Sequence, residues 1–374
     1  DNYGDQGLLE YNFFPELNHR MNEREVDTFE TLVLRTGGGG DWHETIIRDV
    51  LLQDLLRDTN LDIQGYYPVI LFVDGEYWGI YNLRTRYDAY YFYTYYSIDP
   101  DDLIVCEQGK NLLYLGEPGD EELYDQMLQV IDEDFYGSRY KTVNTLADPA
   151  AYARIASMMD IENYLDYTIS GIYTNKLDWP LSNIVYWRKK TVDSQPGGEP
   201  EYGHDGKWRW MVNDFDWSYN DPHGLTLQRV TTEGKEATYL LRSLLQNKAF
   251  KLQFINRFAD LLNSTFKEER VLEKVDEFEA LYLPEMEEHI QRWGEPGGSV
   301  ENWQANVDVI RQFARLRPDI QRQQLVDYFG LAGTARLTVS ADQDQGYVRV
   351  NSIELKQDTP GVIDSENWSG IYFK

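Results

Sequence analysis

Apolar and polar positions follow two rhythms along this chain, and the changes of rhythm divide it into elements. Thr28 to Leu34 alternates and closes on Leu32-Val33-Leu34-Arg35, a strand stopped by the glycines that follow. After Gly37 to Gly40 the period becomes helical. Ile46, Ile47, Val50, Leu51, Leu55 and Leu56 share one face of a helix expected from about His43 to Arg57. Residues 66 to 84 are two apolar runs around Asp74-Gly75, the strongest short signal for a hairpin. The aromatic run Tyr90 to Tyr96 predicts a helix or strand with one buried face, a stacking platform for sugars or peptides being the alternative. Short helices are expected at Glu121 to Ile131 and near Tyr140, and Asp148 with Pro149 caps a longer one reaching Tyr173.

Two strand-like stretches follow, joined by a surface loop at 195–200 that Pro and Gly define. Helical periodicity then dominates from Ala237 to Leu262, Lys267 to Gln291 and Val300 to Tyr328, a helical C-terminal half. Beyond Gly330 the alternation returns at Ala335 to Val339 and Tyr347 to Val350, so residues 331–374 form a small β appendage. The whole is α+β.

Bulk properties narrow the partners. A net charge of −29 over 374 residues argues against binding nucleic acid or an anionic membrane through the overall field, and solubility is its plain account. The single cysteine, Cys106, excludes an internal disulfide and a thiolate zinc cluster and is expected to be a small buried apolar group. The five histidines show no ligand spacing for zinc. No apolar run approaches the roughly 18 residues of a membrane span. The abrupt opening at Asp1-Asn2-Tyr3-Gly4 and the end at Tyr372-Phe373-Lys374, within a β-rich unit, lead to the expectation of a fragment of a longer exported protein.

The candidate chemistry lies between Asn175 and Tyr219. Asn175-Lys176-Leu177-Asp178-Trp179-Pro180-Leu181-Ser182-Asn183 precedes the strand Ile184 to Arg188, and Lys207-Trp208-Arg209-Trp210-Met211-Val212-Asn213-Asp214-Phe215-Asp216-Trp217 follows. Carboxylates set among aromatic residues lose hydration and need a cation, a metal or donors. Asp214 and Asp216 share one face if extended, so both could reach one ion. An EF-hand does not fit, because Tyr219 stands where that loop needs Gly and Leu225 where it needs Glu. A glycosidase pairing Asp178 with Asp214 is an alternative that leaves Asn183 unexplained. The order Asp, four residues, Asn, strand, Asp-Phe is the order of protein kinases, in which the first Asp receives the acceptor's proton and the Asn and later Asp hold metal.

The combination of Asp178-Trp179-Pro180, Tyr186-Trp187-Arg188 and Trp208-Arg209-Trp210 with Asp214 and Asp216 resembles the CotH family of atypical kinases, associated with spore coats and found in bacterial surface proteins. Leu34-Arg35, Arg48-Asp49, Asp74-Gly75-Glu76-Tyr77-Trp78-Gly79-Ile80-Tyr81 and Phe313-Ala314-Arg315-Leu316-Arg317-Pro318 extend the resemblance over roughly residues 8–330. It implies a two-lobed kinase-like domain at 1–330, with an N-lobe to about 100 and a helical C-lobe beyond it. It also implies ATP with Mg²⁺ or Mn²⁺ as cofactors, a protein Ser/Thr hydroxyl as acceptor, and a secreted or cell-surface setting.

Within that resemblance Asp178 is the base or the group that orients the hydroxyl, and Asn183 and Asp214 are metal ligands with Asp216 as second ligand or support. Arg35 on its strand and Asp49 on the next helix occupy the places of the kinase phosphate-binding cation and its acidic partner, with Arg48 a further basic candidate; an ordinary strand–helix ion pair is the equal alternative. The tetraglycine could cradle phosphate, but it lacks a P-loop sequel and a plain flexible loop is the simpler expectation. Thr85 stands where the family commonly has Glu. The alternative function is therefore a catalytically inactive kinase-like surface or coat protein acting in adhesion or assembly.

Overall fold

The structure, a computed structural model, describes residues 7–107, 112–193, 198, 200–232, 234–342 and 344–374. Most of the loop expected at 195–200 and the opening residues 1–6 lie outside the described residues. The strands are β1 Leu9–Glu10, β2 Thr28–Phe29, β3 Leu32–Arg35, β4 Tyr66–Val73, β5 Glu76–Thr85, β6 Leu103–Glu107, β7 Leu112–Leu115, β8 Val185–Lys189, β9 Arg209–Met211, β10 Thr334–Ser340, β11 Arg349–Val350, β12 Ile353–Glu354 and β13 Asn367–Phe373. The α-helices are α1 Arg48–Leu55, α2 Ala89–Tyr96, α3 Glu122–Gln129, α4 Pro149–Ala156, α5 Ile161–Tyr173, α6 Thr226–Val230, α7 Glu236–Leu244, α8 Lys248–Asn263, α9 Glu268–Trp293 and α10 Val300–Phe329.

Two sheets frame the candidate chemistry. The first has the order β3-β5-β4, with the expected hairpin turning at Asp74-Gly75 and Arg35 opposite Asn82. The second has the order β7-β6-β8-β9, all antiparallel, with Cys106 opposite Tyr186 and Tyr186 opposite Trp210. Cys106 is fully buried there, and burial pushes its thiol up to about 12. One apolar core extends from Ile46 to Leu325 and joins α1, α5, α7, α8, α9 and α10. The C-terminal strands carry a separate small cluster of Ile353, Leu355, Val362 and Trp368.

Polar side chains explain where helices begin. The aromatic run is helix α2, opened by Asp88 accepting from the amides of Tyr90 and Tyr91, and it buries Tyr91, Phe92, Tyr95 and Tyr96. The single helix expected from 148 to 173 is two. Met158 and Asp160 exchange backbone hydrogen bonds with Trp208, and Asp160 then caps α5 through the Asn163 amide. The helix expected from about His43 starts at Arg48, because Ile46 takes a left-handed backbone (φ 58°) and Asp41 accepts from the amides of Thr45 and Arg48. Near Tyr140 there is a turn with left-handed Arg139 and Tyr140, not a helix. In the appendage β10 pairs with β13 rather than with the nearer 349–350 segment.

Candidate functional site

The loop bearing Asp178 begins where α5 stops. Asn175 is left-handed (φ 52°), and the last carbonyls of α5 are met by Arg317 of α10, which donates to Ile172 (2.7 Å) and Tyr173 (2.8 Å). The same buried guanidinium donates to Pro222 (2.8 Å) and Gly224 (3.0 Å), tying down the segment after the second motif. Within the loop, Asp178 Oδ2 accepts from Asn183 Nδ2 (2.5 Å) and Ser182 Oγ (3.2 Å). Asn183 is left-handed as well (φ 57°), a conformation that Asn tolerates better than most residues. Asp178 Oδ1 is buried with no hydrogen-bond partner among the described residues.

The second motif leaves β9 and turns at Asp214, whose backbone is left-handed (φ 54°). Its carboxylate forms an ion pair with Arg35 at the end of β3. The buried Phe215 sends its amide to Asp49 Oδ1 (2.7 Å), while the other oxygen of Asp49 pairs with Arg84. Asp216 Oδ2 accepts from the Gly40 amide (3.0 Å), and its Oδ1 is buried without a partner. The two motifs are stitched by backbone bonds from Leu177 to Trp217 and from Tyr219 to Thr174, both 2.9 Å. Between them lies Lys176, fully buried, which donates to the Asn213 carbonyl (2.7 Å) and sits 4.1 Å from the Phe215 ring centre.

The acids and cations shift one another. Burial, with the neighbouring Asp214, pushes the Asp216 carboxyl up to about 6. Asp49 goes the other way: burial raises it, but Arg84 and Arg35 outweigh burial and hold it well below the usual range. Burial pulls Arg35 down and is overcome by Asp49 and Asp214, so the group stays above its ordinary value. Lys176 is pulled down by burial to about 8 although Asp178 and Asp214 oppose this. A buried ammonium among acids gains from them but loses more hydration.

The structure brings Asp178, Asn183, Asp214, Asp216, Arg35 and Asp49 into one neighbourhood, with two corrections. The direct partner of Arg35 is Asp214, not Asp49, because Asp49 is held by Arg84 from the adjacent strand β5. Arg48 does not face a ligand: its guanidinium is 1% exposed and committed to Asp41 (3.1 Å) and Glu44. Thr85 is a buried strand residue whose hydroxyl accepts from the Gly65 amide (3.0 Å). The tetraglycine packs on the second motif. A Cβ at Gly38 (φ +81°) would lie 2.6 Å from Asp216 Oδ2, and one at Gly40 would lie 2.6 Å from the Trp217 ring, so close approach demands glycine at both. Lys176, Arg84 and Arg317 were not singled out from sequence. Lys176 offered a signal, a cation two residues before an acid just after the end of α5.

A cleft of about 440 Å³ opens beside this centre, between β3 and the second sheet; Leu34, Arg35, Arg86, Glu107, Tyr114, Val185 and Asn213 line it. A second cavity of about 360 Å³, lined by Phe14, Arg57, Tyr66 and Leu281 among others, shares none of the site acids. Among the described residues no three acidic, imidazole or thiol groups converge as a metal-holding set. The site's donors are oxygen only, two carboxylates and an amide, with one buried carboxylate oxygen unpaired. That set fits a small hard cation which keeps water and phosphate as further ligands, not zinc.

The fold and site thus define a mixed α+β protein with an oxygen-rich polar centre held between two small sheets by buried cations. The chain belongs to the CotH family: the family model described as CotH kinase protein matches residues 11–320. No curated protein matches it. No helix among the described residues is long and apolar enough to cross a membrane.

Proposed function

We propose that this chain transfers the γ-phosphoryl group of ATP to a Ser or Thr hydroxyl of a protein, as a two-lobed kinase in which the sheet of β3 to β5 faces the rest across the cleft. The observation that carries this is the pairing of the Asp178–Asn183 loop with the Arg35–Asp214 pair, across backbone bonds that fix one motif against the other. The cleft would take the nucleotide base, with Val185 on one wall and Val33 and Leu34 on the other. Arg35, charged at any working pH and able to bind two oxygens, would contact the phosphates. Asp178 is oriented by Asn183 and Ser182, and its Oδ1, buried without a hydrogen-bond partner, would be the atom that receives the acceptor's proton. Asn183 and Asp214 would hold Mg²⁺ or Mn²⁺ with Asp216 in support. Such an ion, when bound, neutralises charge that develops on the transferring group.

The test is a thermal-shift titration with ATP, with and without Mg²⁺ and Mn²⁺, followed by labelled ATP. A ligand at a hundredfold excess over its dissociation constant adds about 2.7 kcal/mol of stability. Metal-dependent stabilisation and label transfer, both lost in Asp214→Asn, are expected. Absence of either with any metal sinks the reading. The occupation of Asp214 by Arg35 and of Asp216 by Gly40 favours a second reading, an inactive surface protein in which these contacts are permanent. In that case partner binding survives Asp178→Asn with Asp214→Asn.

A further inference from the structure

We infer that Arg229 is a positioning residue for Asp178 and that the 220–230 segment controls turnover through it. The inference deepens the proposed phosphotransfer reading and rests on it. The loop that carries Asp178 leaves the carbonyls of Lys176, Leu177 and Trp179 without backbone amide partners among the described residues. One guanidinium fills all three. Arg229 donates from Nη1 to Leu177 (2.6 Å) and Trp179 (2.5 Å), and from Nη2 to Lys176. These carbonyls lie on both sides of Asp178, so the clamp fixes the peptide planes that aim its side chain. A planar guanidinium can do this because its five N–H groups diverge in a rigid fork; an ammonium presents three on a flexible stem.

Arg229 is itself delivered by a short helix, α6, whose place depends on the same loop. Thr226 Oγ1 donates to Asn175 Oδ1 (2.5 Å), and Asn175 Nδ2 donates to the Asp221 carbonyl (3.1 Å). Leu227 and Val230 are buried on the core, while Leu225 at the start of α6 is 54% exposed. Gly224 lies so close to Asn175 that a Cβ there would sit 2.1 Å from its amide nitrogen. Undocking α6 therefore withdraws the clamp. The segment after the second motif and the Asp178 loop behave as one unit, and anything that binds or displaces residues 220–230 reaches Asp178 through Arg229.

The experiment compares wild type with Arg229→Met and Arg229→Lys in two measurements. In steady-state kinetics Arg229→Met lowers kcat by about 10²-fold, the scale of a small misplacement at a reacting group. Arg229→Lys recovers part of the loss, and ATP affinity titrated without metal stays within about twofold in both, since the clamp touches neither Arg35 nor the residues that line the cleft. Wild-type kcat in a folded Arg229→Met, or nucleotide affinity falling in parallel with kcat, overturns the inference. In amide hydrogen exchange without nucleotide, Leu181 and Ser182, which both donate to the Asp178 carbonyl at 3.2 Å, exchange roughly tenfold faster in the variants. Unchanged exchange also overturns it. If wild type transfers no phosphate with any metal, the phosphotransfer reading fails, while exchange still decides whether the clamp holds the loop. If Arg229→Met does not fold, Arg229→Lys carries both measurements.

Discussion

Two acidic centres flank the same short strand, and they are built to opposite ends. Asp62, fully buried, meets Val212 through its backbone carbonyl, two residues before Asp214. Its carboxylate is saturated: Tyr91 (3.0 Å) and Tyr96 (2.6 Å) donate to Oδ1, and Trp187 donates to Oδ2 (2.7 Å). Burial, with Asp62 beside them, holds both tyrosines well above their ordinary range, so they remain donors. Across the strand, Asp178 and Asp216 each keep an unpaired buried oxygen, and the backbone at Asn183 and Asp214 is left-handed. Strained backbone and unfilled acceptors persist only where surrounding structure imposes them. Burial of a carboxylate alone therefore does not mark a candidate site.

Substitution at either centre separates the two roles. The largest effect is expected from Asp214→Asn, a loss of phosphate transfer on the order of 10³-fold with the melting temperature little changed. Equal turnover in this variant removes the distinction. Asp62→Ala should do the reverse, costing about 4 kcal/mol in urea unfolding, because Tyr96 and Trp187 are orphaned at about 1–3 kcal/mol each and Tyr91 keeps only the Ile63 carbonyl at 3.4 Å. Nucleotide affinity of the folded fraction should not change.

His289 is a third case, a buried ring with an orphan atom and no ion-pair partner among the described residues. Its Nδ1 accepts from the Ile80 amide (2.9 Å), its Nε2 is unpaired, and burial pulls it down to about 4. The unfolded chain takes up a proton near 6.5 and the native one only near 4. Stability is thus present above about pH 6.5 and declines as pH falls towards 4, by about 3 kcal/mol. Melting profiles of wild type against His289→Gln over that window should differ by this slope, with turnover at neutral pH unaffected; parallel profiles refute it.

The smallest effect concerns the glycines. Gly38→Ala meets both a positive φ and Asp216 and should cost about 2 kcal/mol, whereas Gly39→Ala, with no heavy atom within 4 Å, should be silent. Equal melting temperatures for the two would mean the tetraglycine is a plain flexible loop.

Much was legible from the chain because it depends on neighbours in sequence. The hairpin at Asp74-Gly75, the capped start at Asp148, and the long helices α9 and α10 follow from turn chemistry and periodicity. So did the grouping of Asp178, Asn183, Asp214 and Asp216: the loop at 195–200 marks a hairpin, and the antiparallel pairing of β8 with β9, Val185 opposite Met211, sets the residues before the first strand beside those after the second. The break between α4 and α5 was not legible, since it is imposed by Trp208 about fifty residues away. Nor could sequence tell that the appendage pairs β10 with β13.

The sequence by itself determined which residue types gather here, carboxylates and an amide with no thiol or imidazole among them, and the family to which the chain belongs. Only the tertiary structure decided who neutralises whom. Arg35 went to Asp214 because Arg84, one strand over, had already taken Asp49; Arg48 went to Asp41 and Glu44; Lys176 and Arg229 went to backbone carbonyls. Ion pairs and clamps form across space between groups that share no sequence pattern, and each is settled by which partner the packed backbone brings within reach.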